Sequence, residues 1–444
     1  MKNNNIYKIL LAIAFILFAI FTVLLLADKP RLTGPFLILG FVCLAMAVRG
    51  FKVIKGFSYS LWIFTAVTVS MYYPQYFLSA GNFQFKLLIV PLLQIIMFGM
   101  GSQMSLKDFA GVIKMPKGVI AGVLCQFTIM PFVGVSIALL FNFPPEIAAG
   151  IILVGSSPSG LASNVMSFLA KANLALSVTL TAFATLLSPL LTPFLMKTFA
   201  GELIEVDFWN MMLGIFNMVI LPIVAGLIFN IFSLTKISVK GKIIQLLSFF
   251  LIVVLKDLIA FQTTGIALAE FAKNIAIDVI WFMILPIAGA YLFKYFAKGN
   301  KELLNKALAF VSMLGIGIII VVITAAGRDS LLEVGLLLIL ACFMHNMFGY
   351  GLGYSVAKFL LRMPERDCRT IALEVGMQNG GLASGLALQM GKVATVGLAP
   401  AIFGPMMNIT GSSLATWWGN KEDGRQKSED RSEENSGNQL PNKK

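Results

Sequence analysis

Glu374 is the residue of this 444-residue chain whose type and surroundings point most directly to chemistry. It opens the polar stretch Glu374-Val375-Gly376-Met377-Gln378-Asn379-Gly380-Gly381-Leu382-Ala383-Ser384-Gly385 within a largely apolar segment. An unpaired carboxylate at bilayer depth costs on the order of 3 kcal/mol even on a lenient insertion scale. The glycines favour a break in the helix, and carbonyls freed by a break are suitable ligands for a hard cation. A bound cation would therefore offset the cost of burying Glu374, whereas a neutral, hydrogen-bonded carboxyl is the structural alternative.

A second polar interruption reads Gly155-Ser156-Ser157-Pro158-Ser159-Gly160-Leu161-Ala162-Ser163-Asn164. Pro158 removes a helical hydrogen bond and clashes with the preceding turn, so we expect the helix to break there. Backbone groups freed at bilayer depth cost several kcal/mol each unless protein or a water-filled cavity satisfies them. The N-termini of the resulting half-helices favour an anionic substrate. The two interruptions therefore predict a binding site inside the membrane.

Other polar residues near the interruptions extend this oxygen-rich set. Ser177 and Thr181 are four residues apart and share one helix face, as do Glu374 and Gln378, and Gln126 lies in the middle of an apolar run. Each of them singly has a structural alternative, a hydrogen bond to its own backbone or to a neighbouring helix. Together they favour a cation site, and the lack of soft ligands favours Na⁺ over zinc or copper.

The composition is that of a membrane protein. Hydrophobic residues make up 58% of the chain and charged residues 12%, whereas a soluble protein has about 25% charged residues. Apolar runs of about 20 residues recur from Tyr7 to Gly419, and each is long enough to cross roughly 30 Å of hydrocarbon. This excludes an ordinary soluble enzyme. The net charge of +13 resides among the helices and loops, so no nucleic acid partner is predicted. Four cysteines without Cys-x-x-Cys spacing predict neither a metal centre nor a disulfide.

Breaks between the apolar runs predict an all-α polytopic membrane protein with fourteen candidate helices. They span, approximately, Ile6–Ala27, Thr33–Val48, Phe57–Tyr72, Lys86–Gly101, Pro116–Phe141, Pro145–Ala170, Asn173–Phe199, Asp207–Phe232, Ile243–Phe261, Asn274–Phe296, Lys306–Gly327, Leu331–Leu361, Asp367–Met390 and Val393–Gly419. Lys and Arg are concentrated in alternate loops, which places both termini in the cytoplasm if all fourteen helices cross. Seven helices precede Gly201 and seven follow it, and an odd number makes the second set enter from the opposite face, as in inverted-repeat transporters.

Short motifs around the interruptions form a recognisable pattern. They are Pro158-Ser159-Gly160, Ala162-Ser163-Asn164-Val165, Ala175-Leu176-Ser177, Leu187-Ser188-Pro189-Leu190-Leu191-Thr192-Pro193 and Glu374-Val375-Gly376-Met377-Gln378-Asn379. Supporting motifs are Phe98-Gly99-Met100-Gly101, Gln126 with Met130-Pro131, and His345-Asn346 with Gly349-Tyr350. This pattern resembles the bile acid:sodium symporter family over most of 57–200 and 306–419.

The resemblance implies a core of ten helices in two inverted five-helix repeats, with two discontinuous helices that cross near the membrane centre. It also implies two Na⁺ sites. The first would use Ser163, Asn164, Ser177, Thr181 and Glu374. The second would use Gln126, Glu374, Val375, Met377 and Gln378. The substrate would face Ser157, Pro158, Ser159, Gly160 and Asn379.

The chain has four helices more than that ten-helix core. We expect two extra N-terminal helices in residues 1–56, the first repeat in 57–200 and two extra or linker helices in 201–265. The second repeat would then occupy 266–419, followed by a disordered cytoplasmic tail over 420–444. Asp207–Phe232 and Asn274–Phe296 share a Leu-Pro pair, and either helix is a candidate for the sixth core helix.

These observations predict a sodium-coupled secondary symporter that imports a small organic anion, bile-acid-like or a short carboxylate, by alternating access. Its partners would be that anion and the lipid bilayer, with Na⁺ as the coupling ion and no organic cofactor. The sequence leaves open the cargo and the oligomeric state. A proton-coupled transporter or an exporter on the same scaffold is the alternative. A membrane-embedded enzyme using Glu374 and His345 is disfavoured, because no second carboxylate or nucleophile accompanies them. The most direct location is a bacterial cytoplasmic membrane.

Overall fold

The computed structural model of the protein describes residues 4–51, 54–105, 108, 111–235 and 237–437, and these residues are almost entirely helical. Within these ranges, ten helices are long and apolar enough to cross a membrane. The prediction of an all-α, multi-pass membrane protein is therefore confirmed. The fourteen crossings stay a prediction, because some helices that it includes, such as Ser58–Tyr72 with 15 residues, fall below that length.

The helices follow one another with short connections. Their bounds are Asn4–Leu26, Pro30–Ala47, Ser58–Tyr72, Ile89–Gln103, Pro116–Phe141, Pro145–Ser156, Ala162–Leu169, Leu174–Ala200, Phe208–Ser233, Val239–Thr264, Leu268–Ala297, Lys301–Ala326, Arg328–Leu360, Glu365–Gly376, Gly380–Gln389 and Leu398–Gly437. Single helical turns lie at Val48–Gly50, Lys55–Phe57, Gln75–Leu78, Phe85–Leu88 and Gly111–Lys114. The strands Ser79–Ala80 and Phe83–Gln84 form a small antiparallel hairpin. Three of the long helices contain a π-helical turn, at Phe216–Ile220, Ile280–Ile284 and Val356–Leu360.

Both polar interruptions break their helices. The first break, residues 157–161, separates Pro145–Ser156 from Ala162–Leu169. The second break, residues 377–379, separates Glu365–Gly376 from Gly380–Gln389. Pro158 explains the first break because it has no backbone N–H to donate. The glycines that follow the second break lower the cost of leaving the helix.

The two breaks cross and pair with each other. The Gly160 backbone N–H donates to the Met377 carbonyl at 2.9 Å, and the Asn379 N–H donates to the Pro158 carbonyl at 2.8 Å. This pairing is antiparallel, with Ser159 opposite Gln378. A Cβ at Gly160 would lie 2.7 Å from the Gln378 carbonyl oxygen, so the approach requires glycine. Each break thus satisfies backbone groups that the other leaves free.

The helices around the crossing form two matching sets of neighbours. Pro116–Phe141 packs along Pro145–Ser156 in the first half, as Arg328–Leu360 packs along Glu365–Gly376 in the second. On one side of the crossing, Ile89–Gln103 packs against two helices of the second half. These two helices are Phe208–Ser233 and Lys301–Ala326. The crossing therefore lies among helices of both halves of the chain.

Two helices that follow one another, Val239–Thr264 and Leu268–Ala297, form a peripheral pair that we call the outer hairpin. Their apolar windows are 22% and 17% buried, against 83% for Phe208–Ser233, on which Leu268–Ala297 packs. In the outer hairpin, Lys256 Nζ lies 2.6 Å from Asp257 Oδ1 and 2.5 Å from Asp278 Oδ2. Side chains one residue apart on a helix do not normally face each other. The long, flexible lysine stem permits the contact with Asp257.

The C-terminal helix starts at Leu398 and its bounds extend to Gly437. The disordered cytoplasmic tail over 420–444 stays a prediction. Residues 438–444 of the predicted tail lie outside the described residues.

Candidate functional site

Glu374 lies in the last turn before the second break and is 2% exposed. Its Oε1 accepts hydrogen bonds from Ser163 Oγ at 2.6 Å and Ser177 Oγ at 2.5 Å. Its Oε2 accepts a hydrogen bond from Thr181 Oγ1 at 2.9 Å. Three hydroxyl groups from two other helices therefore solvate this carboxylate where water is excluded.

Asn164 completes this cluster. Its side-chain Oδ1 accepts hydrogen bonds from Ser177 Oγ at 2.8 Å and Thr181 Oγ1 at 3.2 Å. The tertiary structure thus brings together all five residues predicted for the first cation site. Their side chains present oxygen atoms, which are the ligands that hard cations prefer. The hydroxyl groups can rotate, so their lone pairs can turn toward a cation between them.

The residues predicted for the second site also meet, through their amides. Gln126 Nε2 donates to Gln378 Oε1 at 2.7 Å and to the Ser157 carbonyl at 2.9 Å. Gln378 Nε2 donates to the Val375 carbonyl at 2.5 Å. Gln126 Oε1 is buried and accepts no hydrogen bond from the described residues. An amide oxygen without a partner fits a cation ligand.

Met377 joins this second group through its backbone, because its carbonyl accepts the Gly160 N–H across the crossing. Glu374 is assigned to both predicted sites. Its carboxylate accepts hydrogen bonds from Ser163, Ser177 and Thr181 of the first cluster. Glu374 is connected to the second group along the backbone, through its neighbour Val375.

A cavity of about 180 Å³ opens beside the crossing, between the two breaks and the helices Ile89–Gln103 and Lys301–Ala326. Gly160 and Asn379, two of the five residues predicted to face the substrate, line it. The other three lie within the crossing. They are Ser157, whose hydroxyl donates to the Leu153 carbonyl at 2.8 Å, Pro158, whose carbonyl accepts the Asn379 N–H, and Ser159, which pairs with Gln378. None of these three lines the cavity, because Pro158 and Ser159 pair with the second break and Ser157 bonds back to its own helix.

The cavity also has polar lining residues to which the sequence analysis assigned no role: Ser312, Ser384 and Asn408. Asn408 is an amide in an otherwise apolar helix, a signal that sequence inspection could have used. Ser384 lies in the glycine-rich stretch after the second break. Ser312 lies in a helix far from both motifs, and only the packing brings it to the cavity.

Two half-helices begin at the cavity wall. Ala162 and Gly380, the first residues of Ala162–Leu169 and Gly380–Gln389, both line it. Asn379 Oδ1 accepts the Leu382 N–H at 3.0 Å and caps the second of them. Helix N-termini carry partial positive charge, so the cavity wall favours a negatively charged group.

His345 and Asn346 support the second break. His345 Nε2 lies 2.9 Å from the Met130 carbonyl oxygen, and the imidazole is 1% exposed. Asn346 Nδ2 donates to the Gly376 carbonyl at 2.7 Å, and Thr410 Oγ1 donates to Asn346 Oδ1 at 2.5 Å. The described contacts of His345 and Asn346 therefore link helices and satisfy a carbonyl at the end of a half-helix.

Comparisons with known proteins agree with this geometry. A family profile described as "Sodium Bile acid symporter family" matches residues 90–270. The chain is 34% identical over 375 residues to the uncharacterized sodium-dependent transporter YocS of Bacillus subtilis, covering 84% of this chain and 94% of YocS. The chain belongs to the sodium bile acid symporter family. The expected resemblance to this family is thereby confirmed.

More distant members of the family match as well. The probable sodium/metabolite cotransporter BASS1, chloroplastic, of Arabidopsis thaliana is 28% identical over 329 residues, which cover 73% of this chain and 65% of that protein. The BASS1 protein of Oryza sativa is 24% identical over 371 residues, which cover 82% of this chain and 73% of that protein. These relatives are named as sodium-dependent transporters or cotransporters, so the family assignment supports transport with sodium as the coupling ion.

Proposed function

We propose that this protein is a secondary symporter that imports a small organic anion together with Na⁺ by alternating access. The observation that carries the proposal is the carboxylate of Glu374, held at the crossing of two broken helices by three hydroxyl groups. A negative charge at that depth is tolerated if a cation binds beside it. The family relationship supports sodium as that cation.

The first Na⁺ site would consist of Ser163, Asn164, Ser177, Thr181 and Glu374. The hydrogen bonds among these residues support a single site, because they already place the oxygens around one carboxylate. The second site would consist of Gln126, Glu374, Val375, Met377 and Gln378. The unpaired Gln126 Oε1 supports it.

The anion would bind in the cavity beside the crossing. No Lys, Arg or His of the described residues lines this cavity, so the two half-helix N-termini would supply its positive potential. Pockets for drug-sized ligands measure roughly 300–1,000 Å³, and about 180 Å³ is smaller than that range. The volume therefore favours a short carboxylate over a steroid-sized anion.

The packing also supports a specific sixth core helix. Ser58–Tyr72 packs against Lys301–Ala326, and Ile89–Gln103 packs against Phe208–Ser233. In each pair, the first helix of one repeat packs against the second helix of the other, if Phe208–Ser233 is the counterpart of Ser58–Tyr72 in the second repeat. We therefore favour Phe208–Ser233 as the sixth core helix and the outer hairpin as an insertion. The second repeat would then begin near residue 208 and would not be the continuous segment 266–419.

Alternating access would then be a movement of the two broken helices and their neighbours against the group of Ile89–Gln103, Phe208–Ser233 and Lys301–Ala326. The cavity lies between these two groups. Both termini would be cytoplasmic, in a bacterial cytoplasmic membrane, in keeping with the alternating basic loops. Two Na⁺ entering with a monoanion would carry one net positive charge inward, which gains about 2.3 kcal/mol per 100 mV.

Sodium-dependent thermal stabilisation of the purified protein tests this function. Wild type should be more stable in NaCl than in choline chloride, and small carboxylates should add a shift only with sodium. At 100 times the Kd, one Na⁺ site contributes about 2.7 kcal/mol of stability. Glu374→Gln should lose this response, because the amide removes the negative charge that attracts the cation.

Glu270→Gln is the matched control, since Glu270 is exposed in the outer hairpin. It should respond to sodium as wild type does. A Glu374→Gln variant that keeps the full response would remove Glu374 from the cation site. Stabilisation by acidification in the absence of sodium, with no sodium response in wild type, would favour proton coupling instead.

A further inference from the structure

A second layer of polar residues lies about one helical turn from the Glu374 cluster. Ser163, Ser177 and Glu374 each have a polar residue four positions earlier or later in the chain: Ser167, Asn173 and Thr370. Ser167 and Thr370 share a helix face with Ser163 and Glu374, and Asn173 caps the helix that carries Ser177. Four residues of an α-helix span about 6 Å. We call Ser167, Asn173 and Thr370 the transit layer.

Hydrogen bonds join Asn173 and Thr370 across two helices. The Asn173 backbone N–H donates to Thr370 Oγ1 at 3.0 Å, and the Asn173 carbonyl oxygen lies 3.1 Å from the same hydroxyl. Ser167 lies in the last turn of Ala162–Leu169, where its carbonyl accepts the Ala172 N–H at 2.9 Å within the turn that leads to Asn173. The helices Ala162–Leu169, Leu174–Ala200 and Glu365–Gly376 contact one another, so the three residues lie near their junction.

Ser167 has an unused polar atom in this layer. Its side chain is fully buried, and its Oγ has no hydrogen-bond partner among the described residues. Thr370 is fully buried as well. A buried hydroxyl without a partner costs free energy. A cation coordinated by the hydroxyl oxygen would offset that cost.

The transit layer borders a polar cavity of about 530 Å³ on the side away from Glu374. Asn173 is part of the transit layer and also lines this cavity. The ionisable residues that line the cavity are Glu365, Arg366, Asp367, Arg369 and Glu422. Arg369 Nη2 lies 3.1 Å from Glu422 Oε2 and its Nε lies 3.3 Å from Glu365 Oε1, and the Glu365 carboxylate also pairs with Lys358 at 2.8 Å. Asp367 Oδ1 accepts a hydrogen bond from Asn173 Nδ2 at 2.8 Å. An acidic group therefore lies at the mouth of the layer.

We propose that the transit layer is a further binding position for a monovalent cation, through which Na⁺ passes between the Glu374 cluster and the polar cavity. The inference rests on the proposed function, because it takes the Glu374 cluster as a Na⁺ site. Ser167 Oγ, Thr370 Oγ1 and the Asn173 carbonyl supply hard oxygen ligands. The Asn173–Thr370 hydrogen bonds close the route in this structure, and their opening releases the ion.

Cysteine substitution with Ag⁺ as the probe tests the route, because Ag⁺ is a monovalent cation close in size to Na⁺ that binds thiols tightly. Ser167→Cys would be purified in nitrate buffers and exposed to Ag⁺ in sodium or choline. The thiols still free would then be measured at each cysteine by mass spectrometry. The matched control is Ser188→Cys, since Ser188 is equally buried but its hydroxyl donates to the Thr185 carbonyl within its own helix.

We expect Ag⁺ to consume the Ser167→Cys thiol at least about tenfold faster than the Ser188→Cys thiol, and sodium to slow this reaction several-fold relative to choline. Thr370→Cys provides a second reporter in the same layer, with Thr185→Cys as its control, if Ser167→Cys fails to fold. Reporters that react no faster than their controls, or equally fast in sodium and choline, would overturn the proposal.

The thermal stability of wild type with and without sodium separates this proposal from the proposed function. A wild type that sodium stabilises, combined with inert reporters, contradicts the transit layer alone. A wild type without any sodium response contradicts sodium coupling, and with it the transit layer, whatever the rate of the Ag⁺ reaction.

Discussion

At the scale of single residues, Gly160 is as important to the site at the crossing as Glu374 is. Gly160 donates its N–H to Met377 while its Cα faces the Gln378 carbonyl. A side chain at this position would push the two breaks apart. Met377 and Gln378 of the second candidate cation site form this contact, so their position depends on the absence of a Cβ at Gly160.

Gly160→Ala should destabilise the protein by about 1–3 kcal/mol, because its Cβ would lie 2.7 Å from a backbone oxygen that has little room to move. The thermal unfolding midpoint measures this effect. Gly351→Ala is the control, since a Cβ there meets nothing within 4 Å and helix propensity favours alanine. Equal midpoints for the two variants would show that the crossing tolerates a side chain.

At the scale of helical elements, each half-helix needs partners for the backbone groups at its broken end. The crossing provides some of them, and a neighbouring helix provides others. Asn346 of Arg328–Leu360 donates to the Gly376 carbonyl, two residues beyond Glu374. Thr410 of the last helix in turn donates to Asn346. The end of the half-helix that carries Glu374 is thus held by two other helices.

Asn346→Ala should lower stability by about 1–3 kcal/mol, because the buried Gly376 carbonyl loses its hydrogen-bond donor. It should also weaken the stabilisation by sodium, since Glu374 is held by the same helix end. Thr410→Val keeps the Asn346–Gly376 hydrogen bond and should have the smaller effect on both quantities. Thermal unfolding over a sodium titration measures both, and an Asn346→Ala variant no worse than Thr410→Val would refute this role.

At the scale of the whole molecule, a largely buried ion-pair group lies outside the candidate cation sites. It consists of Lys256, Asp257 and Asp278 in the outer hairpin. Lys256 and Asp257 are 6% and 0% exposed, although most of the surrounding hairpin surface is open. This group ties the two helices of the hairpin to each other at a distance from the cation sites.

Lys256→Met should destabilise the protein by about 3–5 kcal/mol, because it leaves the buried Asp257 and the partly buried Asp278 without their counter-charge. Sodium should still stabilise this variant as it does wild type, since the outer hairpin contributes no residue to the candidate sites. Lys306→Met is the control. Lys306 and Glu302 form an ion pair with side chains 73% and 77% exposed, and such pairs are worth about 0–1 kcal/mol. If Lys256→Met lost the sodium response and Lys306→Met kept it, the outer hairpin would instead be coupled to the cation sites.

The sequence by itself determined the features that depend on local chemistry. Apolar runs indicated the membrane helices, Pro158 and the glycines indicated both breaks, and the burial of Glu374 indicated a cation site. The family motifs added the residues of the two clusters. These features are readable because backbone preferences and the cost of a buried charge act within a few residues of the chain.

Only the tertiary structure decided which of these residues meet and what surrounds them. The crossing of the breaks holds Pro158 and Ser159 against Gln378 and Asn379, and the packing of other helices brings Ser312 and Asn408 to the cavity. Packing distinguished Phe208–Ser233 from Leu268–Ala297, two helices with a similar Leu-Pro sequence, and it joined Lys256 to Asp278. These outcomes depend on contacts between segments far apart in the chain, whose geometry is set by how whole helix surfaces fit together.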